Sequence, residues 1–208
     1  MNRPVRMYDL APSPNNIKVR LALAYKKIPY ERIPVDFEKR EPLVKISGQP
    51  LAPVLAHGDT VIFDSAAILR YLEANFPSTP RLFSADYDTM HKIEEWERFG
   101  RIDAAEPIRL TFGEMRSASP DAAKLKRANE LINRAASRVE ETLAKNPYLM
   151  GAAPNAADFT AAPMLYYGDQ PKAVAEQNPF TLFFYRNLKI ENAPKTHDWI
   201  HRVMALDR

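Results

Sequence analysis

The chain of 208 residues contains no cysteine. That absence excludes disulfides, zinc-thiolate centres and a cysteine nucleophile, so any thiol chemistry must use a sulfur carried in by a ligand. No apolar run approaches the length needed to cross a bilayer, and the chain does not open on a charged segment followed by an apolar stretch. The expectation is a cytoplasmic protein that does not engage a membrane. Charge of one sign is also missing: 29 basic and 26 acidic residues leave a net +3. They are interleaved, as in Arg98, Arg101, Asp103 and Glu106, which describes a solvated surface rather than a nucleic-acid face. The four histidines, His57, His91, His197 and His201, are scattered along the chain. None has the spacing of a metal site or a catalytic triad, so each is expected to be a solvated side chain and no metal is expected. There is no internal repeat and no low-complexity tract. An apolar content of 46% is enough to build a core without staples, as one large domain or two small ones.

From Pro4 to Tyr71 the apolar pattern alternates between strand and helix periods. Val5 to Leu10 predicts a short strand, and Ile17 to Tyr25 a helix with apolar residues on more than one face, as a helix buried against a sheet has. Tyr30 to Val35 predicts a second strand, parallel to the first after a right-handed crossover. Val54 to Ala56 and Val61 to Phe63 flank His57-Gly58-Asp59-Thr60, a tight reversal that predicts an antiparallel hairpin. A helix from Ser65 to Asn75 closes the unit, with Ile68, Leu69 and Leu72 inward. Pro53 stands just before the third strand. It has no N–H for a ladder, so it belongs at an edge or special turn, where its peptide bond can be cis and neighbouring backbone groups stay free for a ligand. The order from Pro53 through the hairpin to Asp64-Ser65 resembles the thiol-binding half of a thioredoxin-like fold.

Two prolines in Phe76-Pro77-Ser78-Thr79-Pro80-Arg81 interrupt the pattern, and a linker is placed at 77–84 between an N-terminal domain at 1–76 and a C-terminal domain at 85–208. The second domain shows only helical periods, such as Leu125, Ala128, Leu131, Ile132, Ala135, Val139 and Leu143. Asn155-Ala156-Ala157-Asp158 predicts a capping box, with Asn155 capping the helix amides and Asp158 reaching back. A last helix is expected from near Pro194, with Trp199 and Val203 buried. The fold class is therefore α/β plus all-α: a thioredoxin-like βαβ-ββα domain, then a helical bundle. The Trp96 and Phe99 stripe is expected in a core or a dimer contact.

Four features, in order, resemble the cytosolic glutathione S-transferase family along nearly the whole chain. They are Ser13-Pro14-Asn15-Asn16 before Lys18-Val19-Arg20; Ala52-Pro53-Val54-Leu55; Asp64-Ser65 before Ala67-Ile68-Leu69-Arg70-Tyr71-Leu72-Glu73; and Asn155-x-x-Asp158. The N-terminal motif is of the serine type seen in zeta-, theta- and nu-like members. Asn155 departs from the family's usual Ser or Thr, though Asn caps as well.

The resemblance implies a homodimer that takes glutathione as co-substrate, ionises its thiol and transfers it to a small apolar electrophile bound against the helical domain, a detoxification chemistry. Ser13 is assigned as the thiolate-stabilising residue: a hydroxyl donor at a helix N-terminus favours a sulfur anion, and a free thiol with a pKa of about 8.5 is mostly protonated at neutral pH. Ser13 followed by Pro14 is also a good helix cap and first-turn pair. Tyr8 is the rival hydroxyl, but the spacing to the Val-Arg pair makes it a strand residue. Asn15 and Asn16 are further donors beside the sulfur. Ser65 would bind the γ-glutamyl carboxylate and Asp64 the ammonium, or Asp64 would simply cap its helix. Ala52, before Pro53, would pair its main chain with the cysteinyl backbone. Lys39, Lys45 and Gln49 compete for the glycyl carboxylate. The fold also hosts glutathione-dependent isomerases, dehalogenases and ether-cleaving enzymes, and non-catalytic glutathione-binding or regulatory proteins; these remain alternatives.

Overall fold

The computed structural model describes residues 4–207, which divide into two compact units. The first runs through Ser84 and takes up the chain end from Leu206; the second is Ala85–Ala205.

In the first unit, strand β1 (Val5–Asp9) leads to helix α1 (Pro14–Tyr25) and strand β2 (Tyr30–Pro34). A short helix α2 (Glu41–Ser47) precedes the hairpin of β3 (Val54–His57) and β4 (Thr60–Phe63), and α3 (Ser65–Asn75) follows. The sheet order is β2-β1-β3-β4; β1 and β2 are parallel and β3 and β4 form an antiparallel hairpin, as expected, and β3 also pairs antiparallel with β1. Gly58, at φ 62°, takes the left-handed conformation that a two-residue hairpin turn favours at its first position. The expected breadth of α1's apolar surface is realised: every residue from Asn16 to Leu23 is buried. Helix α2 has no counterpart in the sequence reading. It is held mainly by Leu43, which packs with Val35 and Val54, and is closed by Gly48 at φ 75°. Leu43 and the partly buried Ile46, one turn apart, are the apolar anchors of a seven-residue helix, too short a run to read as a period.

Buried charges organise this unit. Asp9, at the end of β1, has a side chain with 0% exposure and is bonded by Arg20 Nη1 at 2.8 Å. Arg32 from β2 bonds its other oxygen. Arg20 also donates Nε and Nη2 to the two oxygens of Asp207, both at 2.6 Å. Burial works against the Arg20 cation, but Asp207 and Asp9 together hold its pKa well above the ordinary value. Leu206 and Asp207, placed in the helical domain by the sequence reading, therefore group with the first unit. Lys26, equally buried, donates to Glu73 Oε2 at 2.9 Å and to the Pro80 carbonyl at 3.1 Å. Glu73 also accepts from Leu82 N–H. The residues expected to form a linker are thus pinned to α1 and α3 as far as Leu82 and Phe83, both buried.

The second unit consists of α4 (Tyr87–Arg101), α5 (Glu106–Met115), α6 (Ala122–Leu143), α7 (Ala156–Leu165), a short 3-10 turn (Tyr166–Gly168), α8 (Lys172–Ala175), α9 (Pro179–Asn187) and α10 (Pro194–Met204). The capping box forms: Asn155 Oδ1 accepts from Ala157 N–H, and Asp158 Oδ2 from Asn155 N–H. Asp158 Oδ1 takes Leu149 N–H and the Trp199 indole N–H, so the cap also locks the buried Trp199 of α10. α4 and α7 approach closely at Gly100, where a Cβ would lie 2.8 Å from Thr160 Cγ2. Trp96 and Phe99 are core residues, covered by the Arg138 guanidinium at 4.8 and 4.7 Å. No helix among the described residues is long and apolar enough to cross a membrane.

Two stability tests follow from the buried charges. Asp9→Ala leaves Arg20 short of a partner in a buried setting and should cost about 3–5 kcal/mol of unfolding free energy in urea titrations. Asp207→Ala should cost less, because that side chain keeps 16% exposure. Burial opposes ionisation of Glu73, but the bonds from Leu82, Lys26 and Arg81 outweigh it and hold the carboxyl below its usual value. A carboxyl whose folded pKa is depressed contributes stability that is present above the unfolded value, about 4.3, and lost as pH falls through the folded value. The stability gap between wild type and Glu73→Gln should accordingly be constant above about pH 5 and shrink below about pH 4; a gap unchanged down to pH 3 rules this out.

Candidate functional site

The register of the sheet decides where the motif residues meet. Tyr8, near the end of β1, pairs with Val54 at the start of β3, and Val54 pairs with Phe63 at the end of β4. The loop after β1, Pro53 before β3 and Asp64-Ser65 after β4 therefore all leave the same end of the sheet. Tyr8 itself is a strand residue, paired with Ile33 and packed against the Val35, Leu43 and Val54 cluster.

Ser13 is the N-cap residue of α1, in extended conformation with Pro14 next, yet its side chain makes no cap hydrogen bond. Its backbone is occupied instead: its N–H donates to Leu10 O at 2.9 Å and its carbonyl accepts from Asn16 and Ile17. The hydroxyl, half-buried, is left for another acceptor. The loop reaches Ser13 through a cis Ala11-Pro12 bond. Asn16 is fully buried, and its Oδ1 accepts from Leu10 N–H at 3.0 Å.

The neighbouring helix start is brought alongside. Ser65, buried at the first position of α3, directs Oγ to Asn15 Oδ1 at 3.5 Å, across fifty positions of sequence. Asp64 is at φ 70° and caps α3 through Oδ1, which accepts from Ala66 and Ala67 N–H at 2.8 and 3.1 Å. Both bonds use one oxygen, so Oδ2 is not consumed by the cap. The Ala52-Pro53 peptide bond is cis, with Pro53 buried and Ala52 just outside the β3 ladder.

The three candidates for a carboxylate differ in their commitments. Gln49 is folded onto its own loop: Nε2 donates to Ser47 Oγ and Leu51 O, and Oε1 accepts from Leu51 N–H. It shapes the approach to Ala52. Lys39 and Lys45 are exposed, the first beside the Asp36 turn that accepts its N–H and the second in the last turn of α2.

Two histidines depart from the solvated state expected of them. His57 Nδ1 lies 2.9 Å from the Tyr71 hydroxyl, and the ring stacks on Phe76. His197 Nδ1 lies 2.6 Å from Asp169 Oδ1, with His201 Nε2 2.9 Å from the other oxygen. The i, i+4 spacing of His197 and His201 on one helix face was available in the sequence; Asp169, from another element, was not. No group of His, Cys, Asp and Glu among the described residues is arranged to hold a metal ion.

A thioredoxin-like unit with a free serine hydroxyl at the start of its first helix, a cis-proline at the same sheet end, and a helical unit in which an Asn-x-x-Asp capping box starts α7 define a class. The chain belongs to the glutathione S-transferase family: residues 7–80 match the glutathione S-transferase N-terminal domain and residues 102–207 the C-terminal domain. It is 28% identical over 157 residues, 71% of each chain, to glutathione S-transferase 3 of Zea mays. A shorter match, 33% identical over 93 residues and 43% of each chain, is to a maleylpyruvate isomerase of a Ralstonia species. Among solved structures, a glutathione S-transferase from Rhodospirillum rubrum superposes with a TM-score of 0.79 at 23% identity, covering 98% of this chain and 90% of that one. Family members use glutathione as co-substrate.

The Asp64 cap carries its own expectation. Asp64→Ala should destabilise the protein by about 1 kcal/mol. Asp64→Asn, which keeps an acceptor for Ala66 and Ala67, should stay within a few tenths. Equal losses in thermal unfolding of the two variants would mean that the charge, not the acceptor, holds the helix.

Proposed function

We propose that the protein binds glutathione in its N-terminal unit, stabilises the thiolate through Ser13 and the start of α1, and conjugates it to a small apolar electrophile. The observation that carries this reading is the Ser13 hydroxyl, which stands at the N-terminus of a 12-residue helix without capping it. A donor and a helix dipole acting on one sulfur both lower its pKa, and lowering a value of about 8.5 by one or two units enriches the thiolate roughly tenfold or more at neutral pH. With no cysteine in the chain, the sulfur is that of glutathione, and reactions through a protein mixed disulfide are excluded. Proximity to the bound electrophile supplies much of the remaining rate.

The remaining contacts take simple roles. Ser65 and the α3 amides receive the γ-glutamyl carboxylate, and the unused Asp64 oxygen faces the ammonium. Ala52 offers its main chain to the cysteinyl unit. Asn15 is a donor beside the sulfur, and Lys39 or Lys45 meets the glycyl carboxylate while Gln49 holds the loop that leads from α2 to Ala52. The protein acts as a homodimer in the cytoplasm. A second reading, glutathione-dependent isomerisation, rests on the match to the maleylpyruvate isomerase: the same thiolate would add to an activated double bond, allow rotation, and leave again.

Thiolate absorbance of bound glutathione, followed from pH 5 to 9 in wild type and Ser13→Ala, tests the mechanism. The wild type should titrate about one to two units below free glutathione, and Ser13→Ala should lose most of that shift together with turnover of a generic aromatic electrophile, at little cost in glutathione affinity. If bound glutathione stays protonated near neutrality, the protein is a binding module. Turnover on a cis-dienoic acid but not on the aromatic electrophile selects the isomerase.

A further inference from the structure

Three of the contacts around the short loop between β1 and α1 bear on how Ser13 is presented. Asp9, just before it, is clamped by Arg20; Ser13 N–H closes a turn onto Leu10 O; and Leu10 N–H is held by Asn16 Oδ1. The first is a structural ion pair and the second is internal to the loop. The third is a side-chain bond that ties Leu10, the first residue of the loop, to the helix turn on which Ser13 stands, a turn that Ser13 itself joins through its carbonyl, which accepts from Asn16 and Ile17 N–H. Its acceptor is unusual: Asn16 has 0% exposure, and its Nδ2 is buried without a partner. Buried amides normally satisfy both ends. Here the donor end is left unpaired while the acceptor end makes the bond to Leu10, so that bond is the side chain's whole hydrogen-bonding contribution. Without it, the Leu10 end of the turn is released from the helix, and the Ser13 N–H, bonded to the Leu10 carbonyl, loses that fixed support for the direction of the hydroxyl.

We infer that Asn16 is a positioning residue: through Leu10 it fixes the direction of the Ser13 hydroxyl, and it does not itself contact the thiolate. The inference deepens the proposed thiolate mechanism and rests on it. A residue that acts only through Ser13 must lose its effect when the hydroxyl is removed, whereas one that contacts the sulfur, or merely supports the fold, keeps it.

The test combines a thiol titration with amide exchange. Asn16→Ala should abolish exchange protection at the Leu10 amide in the protein without ligand. It should also raise the pKa of bound glutathione by about half a unit or more in the wild-type background but by under about 0.2 unit in Ser13→Ala. Asn16→Ser, whose hydroxyl is too short to reach Leu10 yet is tolerated in a first turn, carries the same expectation if Asn16→Ala does not fold. Equal shifts in both backgrounds overturn the inference in favour of direct contact with sulfur. An unshifted pKa with Leu10 protection lost, or protection that persists, overturns it outright. If the wild type itself shows no thiolate at neutral pH, the functional reading falls and this one falls with it; the wild-type titration alone tells that case apart.

Discussion

The carboxylate of Asp9 is the constraint on which the N-terminal unit depends. A fully buried anion has to be paired, and this one is paired from two directions, by Arg20 of α1 and Arg32 of β2. The pairing sets how α1 lies over the sheet and joins the first two strands at the end where β1 gives way to the Ser13 loop. Arg20 has more donors than Asp9 can accept, and the surplus is met by Asp207. The chain end is thereby drawn into the unit where the chain began. Lys26 and Glu73 repeat the pattern at the other end of α1, where a buried ammonium fastens Pro80 and α3.

The consequence for chemistry lies at the sheet end fixed by the pairing of Tyr8 with Val54 and of Val54 with Phe63. Two helix N-termini meet there, those of α1 and α3, in contact through Asn15 and Ser65. Each start is satisfied in a different way. At α3, Asp64 turns its own side chain onto the helix amides, a stable local solution. At α1 the expected solution, a serine cap, is not adopted, and the loop is held instead by Asn16 and by the backbone of Ser13. In the proposed mechanism that uncommitted serine hydroxyl is the donor to the glutathione thiolate, since the chain has no cysteine of its own.

Sequence periodicity carried much of the fold. The β3–β4 hairpin, the buried α1, the Asn155 capping box and the burial of Trp199 follow from patterns of about a dozen residues, where the causes are local, and the parallel pairing of β1 with β2 from the handedness of a helical crossover. Helix α2 escaped because its seven residues hold only a short apolar run, Leu43 and Ile46, too brief to show a period. The half-buried states of His57 and His197 escaped because their partners, Tyr71 and Asp169, lie on other elements. The pinning of the supposed linker at Pro80 and Leu82 escaped because two prolines read as a break, while the groups that hold the segment belong to Lys26 and Glu73.

By itself the sequence determined the class of the fold, the chemistry denied to a chain without cysteine, and the family to which Ser13, Pro53, Asp64 and Ser65 belong in their order. These depend on residue type and short spacing, which survive without coordinates. Only the tertiary structure decided that Ser13 does not cap its helix, that Asp64 does so with one oxygen, that Asn16 faces Leu10, and that Arg20 reaches Asp207, 187 residues away. A side chain's commitment depends on which donors and acceptors the fold brings within about 3 Å of it, and that neighbourhood does not exist until the chain has folded.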